Sequence, residues 1–407
     1  MLSTIRSGDW LTEERARVYA LMIAVIGAAS LIFIWTTGGP MTDRFGRPIA
    51  TDFSGMWTAG RMLVGGDAIG LFDPDRHFAF QRQVFGNPGI DVFGWHYPPF
   101  FLAIAALLAL MPYVPALLVW QATTFALYLA AVRAIAPAHR LVLAAAVGFP
   151  AVFVTLGHGH NAFLTAGLLG FGLFWLGRRP VLAGICIGLL AYKPQFGLVL
   201  PVVMLLGGHW RAVVSAGVTV TVMSLGVTLW LGPEVWLAFL KGAVFTREVI
   251  LEQGITGWYK IQSTFSAFRS FGAPLALAYG AQFAVTGAVI ATLALMTWRG
   301  ADSRLLAAMT ATGALLATPY CLDYDMTILG IAVAFAVVHG VEKGFAPYEK
   351  SLLALVWFVP LAARGMMMTT GLPLGVLVMA AFFVVTARRA LADTPDLLPR
   401  RWSLVRG

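Results

Sequence analysis

Long apolar segments without charged residues recur along the whole chain, and they constrain its fold more than any other feature. Only 12% of the 407 residues are charged, whereas soluble domains carry about 25% charged residues. A helix that crosses a bilayer needs about 20 mostly apolar residues. The sequence therefore predicts an all-α membrane protein with many spans, in apolar segments at roughly 18–37, 97–132, 141–157, 161–177, 180–192, 194–207, 212–231, 273–298, 305–318, 326–341, 351–363 and 365–387.

The segment 97–132 is too long for one span and short for two. Pro112 and Pro115 interrupt it, and proline breaks a helix because it lacks an N–H donor and clashes with the preceding turn. We therefore expect two helical pieces, at about 99–111 and 114–132. The first is expected to be a re-entrant or surface helix, and only the second to cross the membrane.

The distribution of Lys and Arg sets the expected orientation, because cytoplasmic loops carry an excess of positive charge. We expect twelve crossings with both termini in the cytoplasm. A less favoured topology has the N-terminus outside and lets both pieces of 97–132 cross. In the favoured topology, most of the 28 lysines and arginines lie on the cytoplasmic side: Arg6, Arg15, Arg17, Arg133, Arg140, Arg178, Arg179, Arg211, Arg299, Arg304, Lys343, Lys350, Arg388, Arg389, Arg400, Arg401 and Arg406.

Two long loops, 38–97 and 232–272, lie on the outer side in this topology. Within the first loop, the stretches 53–63 and 74–85 set apolar residues at helical spacing against a polar face. This pattern is typical of amphipathic helices that lie in the membrane interface. No internal repeat and no low-complexity linker divides the sequence. We therefore expect a single transmembrane domain over 1–407.

Unusual polar residues collect at the outer ends of the predicted spans. Polar groups near membrane depth are costly and usually functional, so this clustering predicts a site at the outer water–lipid boundary. Ordinary roles remain open: a lysine can snorkel to water, the histidines can cap helix ends, and an aspartate can cap the helix near 326–341. The residues are Asp52, His158, His160, Asn161, Lys193, Gln195, Lys260, Gln262, Asp323 and Asp325.

Composition favours neither a metal site nor a nucleic-acid partner. The net charge of +9 is explained by basic cytoplasmic loops, and the basic tail from Arg388 is expected to rest on anionic lipid. The two cysteines show no metal-type spacing and are expected to be buried small hydrophobes. A metal site formed by Asp52, His158 and His160 is a less favoured alternative. No cofactor is expected.

Short motifs follow one another in a characteristic order. The acid Asp52 lies early in the long first loop, and the motifs HYPP at 96–99, GHGHN at 157–161, Lys193-Pro194 and DYD at 323–325 follow it. In this order the chain resembles the GT-C class of glycosyltransferases, and within that class glycosyltransferase family 87. That family includes the mycobacterial mannosyltransferases that elongate phosphatidylinositol mannosides. The resemblance extends over most of the chain and implies a GT-C-like fold.

The resemblance also implies a reaction. Such enzymes take a sugar, usually mannose or arabinose, from a polyprenyl-phosphate donor at the outer face of the plasma membrane, and they invert the anomeric carbon. Their acceptor is a lipid or glycan. The acid of the first loop acts as the general base, and here the matching residue is Asp52. Where family members often carry Gly-Gln-x-Asn, this chain reads GHGHN, so either His158 or His160 takes the place of the glutamine.

The chemistry of inverting transfer fits one prominent acid. A carboxylate accepts the proton of the attacking hydroxyl, and the phosphate leaves without needing much protonation. Cations stabilise the charge that develops on the leaving phosphate. The expected residues are Lys193 and either Lys260 or Arg61, with His158 or His160 as an additional donor. The aromatic residues Trp57, Trp95, Trp258 and Tyr259 either stack on sugars or form an interfacial belt. The substrate-binding residues are expected to be His96, Tyr97, His158, His160, Asn161, Gln195, Tyr259, Gln262, Asp323 and Asp325.

The main alternative function is a secondary transporter with twelve spans. Transporters place their polar residues near the bilayer midplane, on interrupted helices in matching repeats. In this sequence the centres of the spans are nearly free of charge, and the polar residues lie at one end. This pattern favours an enzyme over a transporter. The resemblance to glycosyltransferase family 87 implies a hexosyltransferase of the bacterial inner membrane, with mannose as the favoured sugar and the active site on the periplasmic side.

Overall fold

The computed structural model describes residues 2–394, and this part of the chain is helical without β-strands. The end of the predicted basic tail, with Arg400, Arg401 and Arg406, lies outside the described residues. Five 3-10 turns and one π-helical turn, Thr246–Glu252, connect or extend the helices. The α-helices are α1 (Leu2–Ser7), α2 (Glu13–Thr36), α3 (Thr51–Val64), α4 (Pro74–Phe85), α5 (Leu102–Ala109), α6 (Tyr113–Ile135), α7 (Arg140–Val147), α8 (Pro150–His158), α9 (Ala162–Trp175), α10 (Pro180–Leu189), α11 (Pro194–Gly197), α12 (Leu200–Leu206), α13 (Trp210–Leu231), α14 (Glu234–Phe245), α15 (Thr264–Ser270), α16 (Leu275–Trp298), α17 (Ser303–Leu316), α18 (Ile328–Lys343), α19 (Glu349–Thr370) and α20 (Leu374–Ala392).

Within residues 2–394, seven helices are long and apolar enough to cross a membrane: α2, α6, α13, α16, α18 with its preceding 3-10 turn, α19 and α20. The pair α7 and α8, which is bent by 42°, forms an eighth if it is one span. A chain with seven such helices is a polytopic membrane protein, as the composition predicts. The predicted count of twelve crossings additionally requires α9, α17 and the two short segments Pro180–Tyr192 and Pro194–Leu206 to cross, and it stays a prediction.

The apolar segment at 97–132 divides where its prolines predict. A short helix at Pro99–Ala109 is followed by the full-length α6, and Pro112 is the N-cap of α6. Proline is tolerated at this end of a helix because the first N–H groups have no intrahelical partner. The division into a short piece and a long piece is therefore confirmed.

Helix α3 differs from the expected interfacial helix because it is buried on almost all sides. Gly60 lies so close to the backbone of α5 that a Cβ atom there would come within 2.1 Å of the Ala105 carbonyl oxygen, and a Cβ atom at Gly55 would lie 2.4 Å from the Phe93 carbonyl oxygen. The missing side chains allow backbone to pack on backbone. On the other side, Gln81 of α4 donates a hydrogen bond to Ser54 at 3.0 Å. Helix α3 is thus part of the packed core.

The boundary between the last two spans was expected at Arg364, and that expectation is wrong. Helix α19 continues through Arg364 to Thr370, and the chain turns only at Gly371, which has a φ of 74°, and Pro373. A single arginine does not end a helix, whereas a left-handed glycine followed closely by proline does. Arg364 therefore projects from a helix and does not lie in a connection.

Helix α18 is the central helix of the bundle, and 78% of its apolar window is buried inside the protein. It packs against α6, α9, α17 and α19. The 3-10 turn Asp323–Thr327 precedes it directly, and all five residues of this turn are buried. The acids of the DYD motif are therefore held at the end of the best-packed helix in the described part of the chain.

Candidate active site

The first turn of α3 carries Asp52 against the GHGHN run. Gly159 of that run has a φ of +64°, and a Cβ atom there would lie 2.6 Å from the Cβ of Phe53 and 2.7 Å from the Cβ of Ala50. Ala50, the N-cap of α3, is itself left-handed with a φ of 57°. The glycine thus allows the close approach that brings the first turn of α3 against this run.

Asp52 is partly buried, and burial raises the pKa of its carboxyl above the ordinary value of an aspartate. His158, the nearby Tyr324 hydroxyl and Lys260 lower this pKa, whereas the like charge of Asp323 raises it. Burial has the largest effect. A carboxylate with a raised pKa accepts a proton more readily than an ordinary aspartate, which suits the predicted role of Asp52.

Tyr324 is the central contact of the site, and the sequence analysis did not single it out. Its ring stacks on the ring of His160, with the centroids 3.6 Å apart and an angle of 21° between the planes. The ring of His158 packs edge-on against the ring of Tyr324, with the centroids 5.6 Å apart. The ammonium of Lys193 lies 5.6 Å from the same ring, within cation–π range. The sequence feature that could have identified Tyr324 is its position between the two acids of the DYD motif.

Lys193 does not snorkel to water. Its Nζ lies 2.6 Å from Oδ1 of Asp325, and the two side chains are only 5% and 2% exposed. The other carboxylate oxygen of Asp325 accepts a hydrogen bond from the backbone N–H of Leu322 at 3.0 Å. Asp325 therefore fixes the turn in front of α18 and balances the charge of Lys193. A buried charge needs such a partner because desolvation is costly.

The GHGHN run leaves polar atoms without partners next to Tyr324. The hydroxyl of Tyr97 lies 3.0 Å from Nε2 of His160, but Nδ1 of His160 and both amide atoms of Asn161 are buried without a hydrogen-bond partner among the described residues. Leaving such groups unsatisfied costs about 1–3 kcal/mol each. The described residues therefore leave the hydrogen-bonding capacity of these buried atoms unused.

The second long loop reaches the site through a short backbone pairing. Ile261 pairs with Leu322 in an isolated antiparallel bridge, and the N–H of Gln262 donates to the Cys321 carbonyl at 2.6 Å. This pairing brings Lys260 close enough to influence Asp52. The buried Gln262 donates to the Tyr259 carbonyl at 3.1 Å, so its side chain shapes the loop.

Arg364 joins the site from α19, although the sequence analysis did not name it among the site residues. Its Nη1 lies 3.5 Å from Oδ2 of Asp323, and its side chain is 38% exposed. The guanidinium also lies 5.5 Å from the ring of Tyr259. Asp323 was expected as a possible helix cap, but the 3-10 turn starts at this residue and Leu322 is its N-cap. The sequence feature that could have identified Arg364 as a site residue is its position as a single charged residue inside an apolar stretch.

The structure does not bring every predicted residue together. Arg61 follows Asp52 by nine residues on α3, which places it about 14 Å along the helix and on the opposite face. Its guanidinium lies 5.5 Å from the ring of Trp57. Nδ1 of His96 is 2.7 Å from the Thr246 hydroxyl, and burial lowers the pKa of His96 to about 4. His96 is therefore a neutral hydrogen-bonding group near pH 7.

The remaining predicted residues have ordinary surroundings. Gln195 is partly buried, and its side chain makes no hydrogen bond within residues 2–394. Trp57 and Trp95 are buried in the core, at 6% and 5% exposure, so they do not present a face to a ligand. Trp258 donates from its indole N–H to the Leu251 carbonyl at 2.9 Å. In the described part of the chain, no group of three His, Cys, Asp or Glu side chains is placed to hold a metal ion.

The comparison with protein families gives one match. The family model of glycosyltransferase family 87 matches residues 95–319, more than half of the chain. The match includes the GHGHN run, Lys193 and Lys260, whereas Asp52 and the DYD motif lie outside it. Neither the comparison with curated proteins nor the comparison with solved structures gives a match. The helical membrane fold, the one-sided polar site and the family match lead to one conclusion: the chain belongs to glycosyltransferase family 87.

Proposed function

We propose that this glycosyltransferase transfers a sugar, with mannose as the favoured one, from a polyprenyl-phosphate donor to a lipid or glycan acceptor. Transfer takes place at the outer face of the bacterial plasma membrane, with inversion at the anomeric carbon. The observation that carries the proposal is the environment of Asp52, an acid of raised pKa that lies near Tyr324, His158 and Lys260. Family membership favours transfer over the twelve-span transporter.

Asp52 acts as the general base. The acceptor hydroxyl loses its proton to the Asp52 carboxylate as its oxygen attacks the anomeric carbon, and the bond from that carbon to the phosphate oxygen breaks. General-base assistance contributes typically 10²- to 10⁴-fold to a rate. One carboxylate is sufficient because the phosphate is a good leaving group. The Tyr324 hydroxyl lies near this carboxylate, and we assign it to orienting the carboxylate during this step.

Lys260 and Arg364 receive the leaving phosphate. Lys260 makes no ion pair within the described residues, and Arg364 holds Asp323 only at 3.5 Å, so both retain positive charge for a ligand. Lys193 was predicted for this role, but its charge is already balanced by Asp325 at 2.6 Å. We assign Lys193 to positioning Tyr324. A guanidinium can bind two phosphate oxygens at once, whereas an ammonium acts as a point charge.

The sugar hydroxyls meet the unsatisfied atoms of His160 and Asn161. A site built around buried polar groups discriminates strongly against ligands that cannot pair with them. Because the GHGHN run lies at the junction of α8 and α9, a sugar held there sits at the end of membrane helices. Such a depth suits a donor whose headgroup is tethered to a lipid.

The experiment that tests this function is transfer of label from purified polyprenyl-phosphate-[¹⁴C]mannose to a membrane lipid extract. The wild-type protein is compared with Asp52→Asn and with Asp75→Asn, which changes an exposed acid of the same loop. We expect a new labelled lipid with wild type and Asp75→Asn and none with Asp52→Asn. Wild-type turnover by Asp52→Asn would refute the base, and inactivity of wild type with every polyprenyl-linked sugar would refute the donor class.

A further inference from the structure

A cavity of about 1050 Å³ lies between α2, α7, α18 and α19, at the ends of these helices that are remote from Asp52. It exists because α2 packs tightly only on one side. Gly148 approaches the Ala20 carbonyl, and Gly27 approaches the ring of Phe153, so closely that a Cβ atom would clash at 2.2 and 2.4 Å. The adjoining face of α2, with Ala16, Tyr19 and Ile23, is separated from α18 and α19 by the cavity.

The cavity has the length of about one membrane leaflet. Along α2 its lining runs from Thr12 to Ile26, which corresponds to about 21 Å of helix. One leaflet contributes about 15 Å of hydrocarbon. Apart from its mouth the lining is apolar, with residues such as Met22, Val333 and Phe358. A lining of this kind is filled by hydrocarbon chains and not by water.

Helix α1 and the turn after it lie beside the mouth of the cavity, and they connect the start of α2 to the start of α19. The N–H of Tyr348 donates to the Arg6 carbonyl at 2.7 Å, and the indole N–H of Trp10 donates to the Ser351 hydroxyl at 2.9 Å. The Ser351 hydroxyl donates in turn to the Ile5 carbonyl at 2.7 Å. The two helices are therefore held apart at a defined distance by specific hydrogen bonds.

Two charged residues line the cavity, and they have opposite signs. Glu13 and Lys350 both lie at the mouth, and neither makes an ion pair within residues 2–394. The stem of Lys350 packs on Gly8, and its ammonium lies 5.4 Å from the ring of Phe345. A headgroup that carries both a phosphate and an ammonium matches this pair of charges, because Lys350 attracts the phosphate and Glu13 accepts hydrogen bonds from the ammonium.

We propose that this cavity binds one zwitterionic phospholipid of the phosphatidylethanolamine type, from the leaflet remote from the candidate active site. The acyl chains fill the apolar cavity, and the headgroup lies between Glu13 and Lys350. This site is separate from the proposed donor and acceptor positions, and it does not depend on the proposed function.

The bound lipid contacts the same helices that hold the active site. The consecutive helices α7 and α8 carry Phe149 of the lining and His158 of the site, while α19 carries Trp357 and Arg364. A filled cavity gives these helices packing contacts that a void would lack. The lipid therefore stabilises the arrangement of the helices on which the active site rests.

The test measures lipid retention by native mass spectrometry of the full-length protein, titrated in detergent with palmitoyl-oleoyl phosphatidylethanolamine or phosphatidylglycerol. We expect wild type to bind one phosphatidylethanolamine in preference to phosphatidylglycerol. Glu13→Gln and Lys350→Gln should each weaken phosphatidylethanolamine binding about fivefold, since a charge near a headgroup contributes about 1 kcal/mol. Glu14→Gln and Lys343→Gln are the matched controls, because both residues are exposed and lie outside the lining.

A second pair of variants tests the cavity itself. Ala354→Trp fills the lining from α19 and should abolish retention, whereas Ala288→Trp adds the same side chain on an exposed position of α16 and should leave retention unchanged. Equal retention by the cavity variants and their controls would overturn the proposal. Preference for phosphatidylglycerol, or displacement of the lipid by polyprenyl phosphate, would overturn it as well.

Discussion

The ring of Tyr324 lies flat against the imidazole of His160, with ring centroids 3.6 Å apart, while its hydroxyl lies close enough to Asp52 to lower the pKa of that carboxyl. One side chain thus connects the acid of the first loop, the GHGHN run and the turn in front of α18. The position of the proposed base therefore depends on a tyrosine that lies more than 250 residues away in the sequence.

The first prediction separates the activity of Asp52 from its effect on stability. Burial raises the pKa of Asp52, so the folded state holds this proton more tightly than the unfolded state. The resulting stability is present below the unfolded pKa and is lost as the pH rises through the folded pKa. At pH 7 the ionised carboxylate therefore costs stability, and Asp52→Asn should unfold at a temperature equal to or above that of wild type. Transfer should fall at least 100-fold, and a lower Tm for the variant would contradict this account.

The second prediction concerns the acid limb of the pH–rate profile. Only the ionised carboxylate accepts a proton, so transfer should fall as the pH drops through the raised pKa of Asp52. Tyr324→Phe keeps the stack on His160 but removes the hydroxyl group that lowers this pKa. The acid limb of kcat/KM should therefore move to higher pH. His209→Phe, at a position remote from the site, serves as the control. If the acid limb of Tyr324→Phe does not move, the Tyr324 hydroxyl does not lower the pKa of Asp52.

The third prediction tests whether the Lys193–Asp325 pair is structural. Lys193→Met and Asp325→Asn should each destabilise the protein by roughly 3–5 kcal/mol, because each leaves one buried charge without its partner. The double variant should regain most of that loss, which thermal unfolding of the three variants measures as a coupling energy. If Lys193 instead binds the donor phosphate directly, the double variant will be stable but will show a strongly raised KM for the donor.

The fourth prediction uses two glycines of the same run. Gly159→Ala introduces a side chain at a φ of +64° and within 2.7 Å of Ala50 and Phe53, so it should cost about 1–3 kcal/mol and reduce transfer by displacing Asp52. Gly157→Ala is the control, because its Cβ would meet only Leu31 at an ordinary 3.4 Å. Thermal unfolding and transfer assays of both variants check the prediction, and equal effects of the two substitutions would refute the close approach.

The fifth prediction assigns the phosphate site. Lys260→Gln and Arg364→Gln should each lower kcat/KM for the donor roughly 10- to 100-fold, since a hydrogen bond to a charged group contributes about 1.5–3 kcal/mol. Steady-state kinetics with the donor varied is the measurement. Lys241→Gln removes an exposed lysine of α14 and should have little effect. Arg61→Gln should also leave the donor kinetics unchanged, because Arg61 lies on the opposite face of α3 from Asp52.

The amino-acid sequence by itself determined the membrane class and most of the helices, and it predicted that the site lies at one end of the bundle. The thickness of a bilayer fixes the length of a spanning helix, so apolar segments can be recognised without tertiary information. The prolines also predicted correctly that segment 97–132 divides into two helices, because the disruption of a helix by proline is a local effect. The predicted boundary between the last two spans at Arg364 was wrong. A charged residue inside an apolar stretch suggests a loop unless its partner in the fold, here Asp323, is known.

Only the tertiary structure decided which residues meet. Lys193 and Asp325 are 132 residues apart, and no local pattern predicts that one neutralises the other. The same holds for Tyr324, whose contacts come from three separate parts of the chain, and for α3, which is buried because two glycines allow close backbone packing. Helix formation depends on local composition, whereas the chemistry of the site depends on long-range packing that places each side chain against its partner.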